Sequence, residues 1–394
     1  MRHTSGPALT RSQLACRSST ASCSLDREAH SASPRLRTSS CRRCRTGQIV
    51  VKLIITGDVN LMNVADAQAP FRRVKETFRS ADLVFSNLEC CLTSKANEGS
   101  THVEGFFADP KVTATALTEC GIAAVGIANN VNYGEAIIES IAHLDRIGIA
   151  HTGAGANHIA ARAPAIVERQ GLKIAFLQRS SVYWATNHEA SAQSAGIAVI
   201  RGHTAYQVPM YKMRREIPPL NRPGIPPIIV TWADRDYLAR FEQDLVAARE
   251  SADIVVASFH WGLHKDVLDY MKEIAHCAID AGADVVVGHG PHYSLGTEVY
   301  KGKPIFYGLG AFSFLTGHGG HRHDDWVGMM AKLSFDGQRL ERTAFEFVRR
   351  NDENETYICQ LSDEGAEFAD LEQRSHELGA RLARDGNEVV VSAA

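Results

Sequence analysis

Short apolar runs recur along the chain from about residue 50, and each run leads to a polar residue. Their many β-branched residues are typical of buried strands. The runs span residues 51–57, 81–86, 122–128, 254–259 and 284–288. Asp58, Glu89, Asn130, His260 and His289 stand at their ends or a few positions beyond. Ligands of open α/β sheets bind beyond the carboxyl ends of the strands, so we expect these side chains to converge on one rim.

Segments with helical spacing of apolar residues lie between these runs. They span residues 70–80, 110–119, 134–147, 236–251, 267–281 and 367–384. Gly148 follows the third of them, where glycine commonly ends a helix. Further strands are predicted at 303–307 and 329–335, and a hairpin at 165–177. The alternation of strands and helices predicts an α/β protein.

A proline-rich segment at residues 203–236 interrupts this alternation. Its prolines are Pro209, Pro218, Pro219, Pro223, Pro226 and Pro227. Proline is excluded from helix interiors and central strands, so the segment is predicted to be a long surface loop and a candidate lid.

Charge divides the chain of 394 residues unevenly. Residues 1–48 hold nine Arg and no Lys against Asp26 and Glu28, a balance of +7, so the remainder carries −10 of the total of −3. An acidic main body argues against nucleic acid as a partner. We interpret residues 1–48 as a disordered extension or an incorrectly assigned start, with translation beginning near Val51. Residues 50–350 then form the main domain, and residues 351–394 form a strand and helix extension.

The sequence indicates no integral membrane segment. No stretch approaches the roughly 20 apolar residues needed to span a bilayer, and arginine and serine interrupt the N-terminus where a secretory signal would be apolar. Five cysteines beyond the N-terminal extension, an odd number, show no disulfide spacing. A reducing cytoplasmic location is therefore predicted.

The polar residues at the strand ends include every ligand type that borderline divalent metals accept. They offer carboxylates, an amide and imidazoles, a mixture that suits zinc, manganese or iron. The candidate ligands at the strand ends are Asp58, Glu89, the pair Asn129-Asn130, His260, His289 and His292. Two metals about 3.5–4 Å apart, bridged by Glu89, would activate water and hold a phosphoryl or acyl oxygen. Each residue alone is weak evidence, because acidic residues often end strands and Asn129-Asn130 suits a turn.

Six ordered motifs resemble one known family. They are residues 55–61 (ITGDVNL), 86–89 (SNLE), 128–130 (ANN), 260–262 (HWG), 288–292 (GHGPH) and 305–312 (IFYGLGAF). They look like those of the CapA/PgsA-type capsule, or poly-γ-glutamate, synthesis family of the calcineurin-like metallophosphoesterase superfamily. The resemblance implies a four-layer α/β/β/α sandwich. It also implies that the metal ligands are Asp58, Glu89, Asn130, His260, His289 and His292. We assign catalysis to His260, His292 and His264, and substrate binding to Asn87, Asn129 and Trp261.

Four positions depart from the family pattern. Val131 stands where a histidine usually follows the asparagine pair, Gly290 where a histidine is common, and Ala311 where asparagine is usual. Asn60 replaces the histidine of the Asp-x-His pair of phosphoesterases. General-acid assistance is commonly worth 10²–10⁴-fold, so His264 or the cluster His318, His321 and His323 would have to compensate. The glycines around that cluster are more typical of a mobile loop.

Three functions compete on this evidence. The favoured one is a metal-dependent hydrolase acting on a phosphoester or a γ-glutamyl-type amide, on a small molecule or an anionic polymer. The second is a non-catalytic accessory protein of polymer synthesis or export. The third, ranked last, is an α/β protein whose strand-end polar residues are structural. The sequence does not fix the oligomeric state.

Overall fold

A computed structural model describes residues 50–94, 107–132, 134–184, 188–208, 226–323 and 325–394. Within these ranges the strands are β1 Val50–Asn60, β2 Leu83–Leu88, β3 Cys91–Leu92, β4 Phe107–Ala108, β5 Ala124–Gly126, β6 Ala150–Thr152, β7 Ala154–Gly155, β8 Ala165–Arg169, β9 Leu172–Ser180, β10 Gly196–Ile197, β11 Gly202–Gln207, β12 Ile228–Ala233, β13 Ile254–His260, β14 Val285–His289, β15 Thr297–Tyr300, β16 Lys303–Phe306, β17 Ala311–Phe314, β18 Gly328–Asp336, β19 Arg339–Arg350, β20 Thr356–Ile358, β21 Ala380–Asp385 and β22 Glu388–Ala393. The α-helices are α1 Lys75–Arg79, α2 Pro110–Cys120, α3 Glu135–Ile147, α4 His158–Arg162, α5 Arg235–Ser251, α6 Asp269–Asp280 and α7 Gly365–Glu377.

Two sheets organise these elements. The larger has the order β21-β22-β19-β18-β1-β2-β5-β6, with β17 added to β1 and β20 to β19. The smaller has the order β15-β16-β14-β13-β9-β8. Strands β1, β2, β5 and β6 run parallel, as do β9, β13, β14 and β16. Parallel strands bring their carboxyl ends to one edge, which places the strand-end residues of each sheet together.

The two sheets pack face to face, and helices cover both outer faces. Side chains alternate along β1: Leu53 and Ile55 face the second sheet, whereas Ile54 packs with the helices. Phe85 of β2 stacks on Phe176 of β9 across the sheet interface, with ring centroids 4.5 Å apart. Period-two alternation of buried strands requires apolar cover on both faces.

Helices α1, α2 and α3 supply that cover for the larger sheet through Phe78, Leu117 and Ile137. Helices α5 and α6 do the same for the smaller sheet through Phe241 and Ile274. The predicted four-layer α/β/β/α sandwich is therefore confirmed.

Several predicted elements agree closely with the structure. Helix α2 begins at Pro110, where the Asp109 side chain caps the free amides of Lys111 and Val112. Helix α3 ends at Gly148, which has the left-handed φ of 71° that glycine tolerates. The predicted hairpin is β8 and β9, turning at Gln170-Gly171 with φ values of 52° and 78°.

The predicted surface loop at residues 203–236 is wrong at both ends. Strands β11 and β12 form an antiparallel ribbon, and residues 209–225, with four of the six prolines, lie outside the described residues. Pro226 and Pro227 directly precede β12, where they interrupt no ladder hydrogen bond. The β-branched run Ile228–Thr231 then favours a strand over a loop.

Two predicted helices are shorter than expected. Residues 70–80 form a 3-10 turn, Ala69–Phe71, followed by the short helix α1. The predicted helix at 367–384 ends at Glu377, because Gly379 adopts a φ of 86° and reverses the chain. Residues 380–385 become β21, which pairs with β22 and joins the larger sheet through β19.

Measured by length and apolar character, none of the helices in the described part of the chain qualifies as a membrane span. The prediction for residues 1–48 lies outside the described residues.

Candidate metal centre

Asp58 of β1 is held at the rim by residues from the other sheet. Its Oδ2 lies 2.9 Å from Nδ1 of His292 and accepts the backbone N–H of Gly290 at 3.2 Å. Its Oδ1 lies 3.5 Å from Nδ1 of His289. The Asp58 side chain is completely buried. The facing carboxyl ends of β1 and β14 thus bring together residues more than 200 positions apart.

Glu89 completes a compact set of three donors. Its Oε1 lies 3.8 Å from Nε2 of His292. Asp58, Glu89 and His292 each offer one ligand atom, and these three atoms lie within 4.8 Å of one another. All three residues are buried. Three ligand atoms this close together could surround one cation.

The two carboxylates have opposite electrostatic responses. Burial by itself would raise the pKa of Asp58, but neighbouring His289 and His292 hold that pKa far below its ordinary range. Burial raises the pKa of Glu89 well above its ordinary value, and the charge of Asp58 adds to the effect. Two carboxylates side by side in a buried site are stabilised as anions by a cation between them.

Buried polar atoms without partners test whether these residues fit a metal. Neither ring nitrogen of His289 has a hydrogen-bond partner among the described residues, since 3.5 Å to Asp58 is too long for one. The Oδ1 atom of Asn130 is buried and also lacks a partner there. Buried polar atoms normally find a partner, so atoms of these types left over beside two carboxylates fit a divalent metal.

Glycine at position 290 keeps room for His260. His260 and His289 are in register on β13 and β14, so their side chains belong to the same end of the sheet. A Cβ at Gly290 would lie 3.1 Å from Nε2 of His260, and Gly290 has a φ of 106°. Glycine therefore suits position 290 better than a residue with a side chain, because the backbone is left-handed and His260 lies close. His292 itself has a φ of 64°.

The side-chain amides of Asn87 and Gln178 form a hydrogen-bonded chain between the two sheets and support the carboxylates. The Nδ2 atom of Asn87 donates to Asp58 Oδ1 at 2.8 Å and to Glu89 Oε2 at 3.4 Å. Its Oδ1 accepts from Nε2 of Gln178 on β9 at 2.9 Å, and Gln178 Oε1 accepts the N–H of Ala128 at 2.7 Å. The sequence analysis assigned Asn87 to substrate and missed Gln178. A glutamine directly after the apolar run 174–177 was the available signal.

Three other predicted residues lie away from this set. Asn129 is buried, and its Nδ2 donates to the Leu88 carbonyl oxygen at 2.8 Å, so it fixes the turn beside Glu89. Trp261 has no exposed surface, because its ring stacks on Phe259 and packs in the core. The substrate-binding role of Trp261 stays a prediction. His264 is exposed, with a φ of 52°, and its catalytic role stays a prediction.

An aromatic stack, which the sequence analysis also missed, lies against His292. Trp326 stacks on His292 with centroids 4.6 Å apart, and His323 stacks on Trp326 at 4.0 Å. Phe314 contacts His292 at 4.8 Å. These rings fix the imidazole of His292 and place one histidine of the predicted histidine cluster near the centre.

Two of the remaining departures, Val131 and Ala311, make main-chain hydrogen bonds beside the site. Val131 is buried, and its carbonyl oxygen accepts from the thiol of Cys91 at 3.0 Å. Ala311 is in register with Asp58, and its N–H donates to the His292 carbonyl oxygen at 3.2 Å. Neither side chain offers a polar group to a substrate.

Two curated proteins are similar in sequence to part of this chain. A probable polyglutamine synthesis accessory protein of Mycobacterium tuberculosis is 30% identical over 261 residues, which cover 61% of this chain and 58% of that protein. The PGA biosynthesis protein CapA of Bacillus subtilis is 28% identical over 256 residues, which cover 64% of this chain and 58% of that protein. The chain thus spans less than two thirds of the length of these relatives.

One similar solved structure is a phosphatase from Mycoplasma pneumoniae. It has a TM-score of 0.45 and 12% identity, with 77% of this chain and 94% of that chain covered. A likeness this distant supports no conclusion about the site.

The family model described as "Bacterial capsule synthesis protein PGA_cap" matches residues 43–315, well over half of the chain. The protein is a member of this bacterial capsule synthesis family.

Proposed function

We propose that this protein is a metal-dependent hydrolase acting on a phosphoester or a γ-glutamyl-type amide. The observation that carries the proposal is the buried set of Asp58, Glu89 and His292, whose donor atoms lie within 4.8 Å of one another. Protein groups bond to both carboxylates, yet one ligand atom of each of the three residues lies around a common space. Two adjacent carboxylates buried together are costly as anions unless a cation lies near them.

Each residue of the site has its own role in this proposal. Asp58 and Glu89 supply negative charge, His292 and His289 supply imidazole nitrogens, and Asn87 orients both carboxylates. Outer-shell hydrogen bonds of this kind commonly set metal affinity and activity. When bound, a divalent metal supplies Lewis acidity toward a phosphoryl or acyl oxygen.

The finer assignment extends this set. We propose two metals, chosen among manganese, zinc and iron, with Glu89 between them and with Asn130, His260 and His289 as further ligands. The mixture of oxygen and nitrogen donors supports borderline metals. His260 and His292 remain the proposed catalytic groups at the rim, with exposed His264 as a further candidate.

The family and the names of two relatives support the proposed substrate class. One relative is named for polyglutamine synthesis and another for PGA biosynthesis. We therefore place an anionic polymer or a small phosphoester at this site. The proposal includes no nucleic acid partner and keeps the predicted cytoplasmic location.

The test uses the full-length chain loaded in turn with manganese, zinc or iron. Chromogenic phosphomonoesters and phosphodiesters and poly-γ-glutamate are the substrates. We expect turnover on at least one of them, reduced at least about 100-fold in His292→Ala. His376→Ala, on the exposed face of α7, is the matched control and should retain activity. A metal-loaded protein that turns over none of these substrates would contradict the hydrolase proposal.

A second candidate function is a non-catalytic accessory protein that binds an anionic polymer. Val131 favours it, because this buried apolar side chain occupies the position of the family's usual proton donor. The same experiment distinguishes the two functions. Metal binding and retention of poly-γ-glutamate without any cleavage would support the accessory role.

A further inference from the structure

A second polar cavity lies on the opposite face of the smaller sheet from the metal centre. Its volume is about 230 Å³, and it is enclosed by α4, α5 and residues 188–199. Arg179 of β9 reaches this cavity, whereas its strand neighbour Gln178 faces the other sheet and supports the metal centre. The cavity therefore shares no residue with the donor set described above.

At the base of the cavity two arginines, one buried and one partly exposed, bind one carboxylate. Arg179 is only 2% exposed, and its Nη2 donates to Asp244 Oδ2 at 2.7 Å. Arg162 binds the same carboxylate through both oxygens, with Nε at 2.8 Å and Nη2 at 2.6 Å. One negative charge thus faces two positive charges, one of which is almost fully removed from water. A buried charge without full compensation is costly, which favours a further anion beside it.

Arg179 also has donor groups to spare. A guanidinium carries five N–H groups. Three are used, by Asp244, by the Gln178 carbonyl oxygen at 2.8 Å and by the Arg162 carbonyl oxygen at 3.2 Å. The described residues supply no acceptor for the other two. Arginine donors in a planar fork suit a carboxylate or a phosphate, which accept two parallel hydrogen bonds.

The rest of the lining increases the positive charge and adds an apolar wall. Arg240 lines the cavity from α5, and its guanidinium lies over the ring of Tyr237 at 4.4 Å. The other carboxylate of the lining, Glu189, already binds Arg201 at 2.6 Å and accepts a hydrogen bond from Tyr237. Three lining arginines therefore face two carboxylates, each of which is already bound. Ile197, Val199 and Phe241 form the apolar part.

We propose that this cavity binds a small organic molecule bearing a carboxylate or phosphate group, with Arg179 and Arg240 receiving the anion. The apolar wall receives a short carbon body. A volume of about 230 Å³ limits the ligand to monomer size, below that of typical drug-like pockets. A small anion therefore fits this site.

The experiment titrates inorganic phosphate and L-glutamate separately into the full-length protein by calorimetry at constant ionic strength. Arg240→Gln removes one charge from the cavity without changing Arg162 and Arg179, the two arginines bound to Asp244. Arg235→Gln removes an equally exposed arginine of the same helix that does not line the cavity. We expect at least one anion to bind, about three- to tenfold more weakly to Arg240→Gln than to Arg235→Gln.

The anion that binds identifies the ligand class. Arg179→Lys keeps the charge but loses the planar fork, so a larger loss of affinity is expected in that variant. Two results would overturn the proposal. One is the absence of binding by both anions up to about 10 mM. The other is binding that is equal in Arg240→Gln and Arg235→Gln, which would place the anion elsewhere, the metal centre included.

Discussion

Glycine at position 290 illustrates how one residue sets the geometry of the rim. Its N–H donates to Asp58, and its missing side chain leaves space for Nε2 of His260. The sequence marked this position only as a departure from the family pattern. The structural reason is the left-handed backbone, φ 106°, combined with a close histidine.

The substitution Gly290→Ala should therefore lower metal affinity. Gly302→Ala is the matched control, because Gly302 also has a positive φ, 78°, but faces open space. Both substitutions should destabilise the fold by about 1–2 kcal/mol through backbone strain. Only Gly290→Ala should also weaken metal binding, measured by calorimetry, since the new Cβ displaces His260. Equal metal affinities in the two variants would show that His260 is not held at the site through Gly290.

Gln178 is a buried amide that sequence reasoning did not single out. It is bonded to Asn87, whose other end orients Asp58 and Glu89, and to the N–H of Ala128. A single glutamine after an apolar run has no sequence signature of such a role. Its importance arises only when two sheets pack face to face.

Replacing Gln178 by alanine leaves the Ala128 N–H and the Asn87 oxygen without these partners. Each buried unsatisfied group costs about 1–3 kcal/mol, so the free energy of unfolding should fall by about 2–6 kcal/mol in urea titrations. Exposed Gln193→Ala, the control, should change it by less than about 0.5 kcal/mol. A loss in Gln178→Ala no larger than that of the control would show that the amide chain does not hold the sheets.

At the scale of elements, the sequence predicted a helix correctly where its end residues and its apolar periodicity agreed. Helices α2 and α3 were predicted almost residue by residue, because proline and glycine stand at their ends. The ribbon β11–β12 was not predicted, because the prolines between its two strands in the sequence indicated a loop. The C-terminal helix was extended too far, since the alternation in β21 became clear only from its pairing with β22.

Helix α3 offers a test of the outer layer through two adjacent isoleucines. Ile137 is fully buried against the larger sheet, whereas Ile138 is 42% exposed. Ile137→Ala should lower the free energy of unfolding by about 2–5 kcal/mol, because it leaves a cavity in the core. Ile138→Ala should cost less than about 1 kcal/mol. Urea unfolding of both variants measures the difference, and similar losses would contradict the packing of α3.

For the whole molecule, the topology explains why strand-end residues could be predicted as a group. Parallel strands bring Asp58, Glu89, His289 and His292 to one rim, and that follows from the fold class. The rings of Trp326 and Phe314, which support His292, could not be predicted from the sequence. They reach it from β17 and the segment before β18, and their packing depends on tertiary structure alone.

The free energy of unfolding should also depend on pH, because His188 is a buried histidine outside the metal centre. Burial lowers the pKa of His188 to about 4 from 6.5. The unfolded chain therefore binds a proton before the folded protein does, and stability falls as the pH decreases from about 6.5 to about 4. The loss approaches about 3 kcal/mol at the lower end.

The variant His188→Asn keeps an acceptor for the Trp184 N–H that His188 Nδ1 receives at 3.1 Å. It should lose less free energy of unfolding than the wild type between pH 7 and pH 4.5. Urea titrations at the two pH values give this difference. The same pH dependence in both proteins would mean that folding does not lower the pKa of His188.

The central claim is that side chains distant in sequence form one metal centre. Its most direct test is the metal content of the full-length protein, measured by mass spectrometry after exposure to manganese, zinc and iron. We predict at least about one tightly bound equivalent in the wild type and in the exposed-site control His376→Ala. His289→Ala and Asp58→Asn should lose it while remaining folded by circular dichroism. A wild-type protein that retains no metal, or variants that retain as much as the control, would contradict the account.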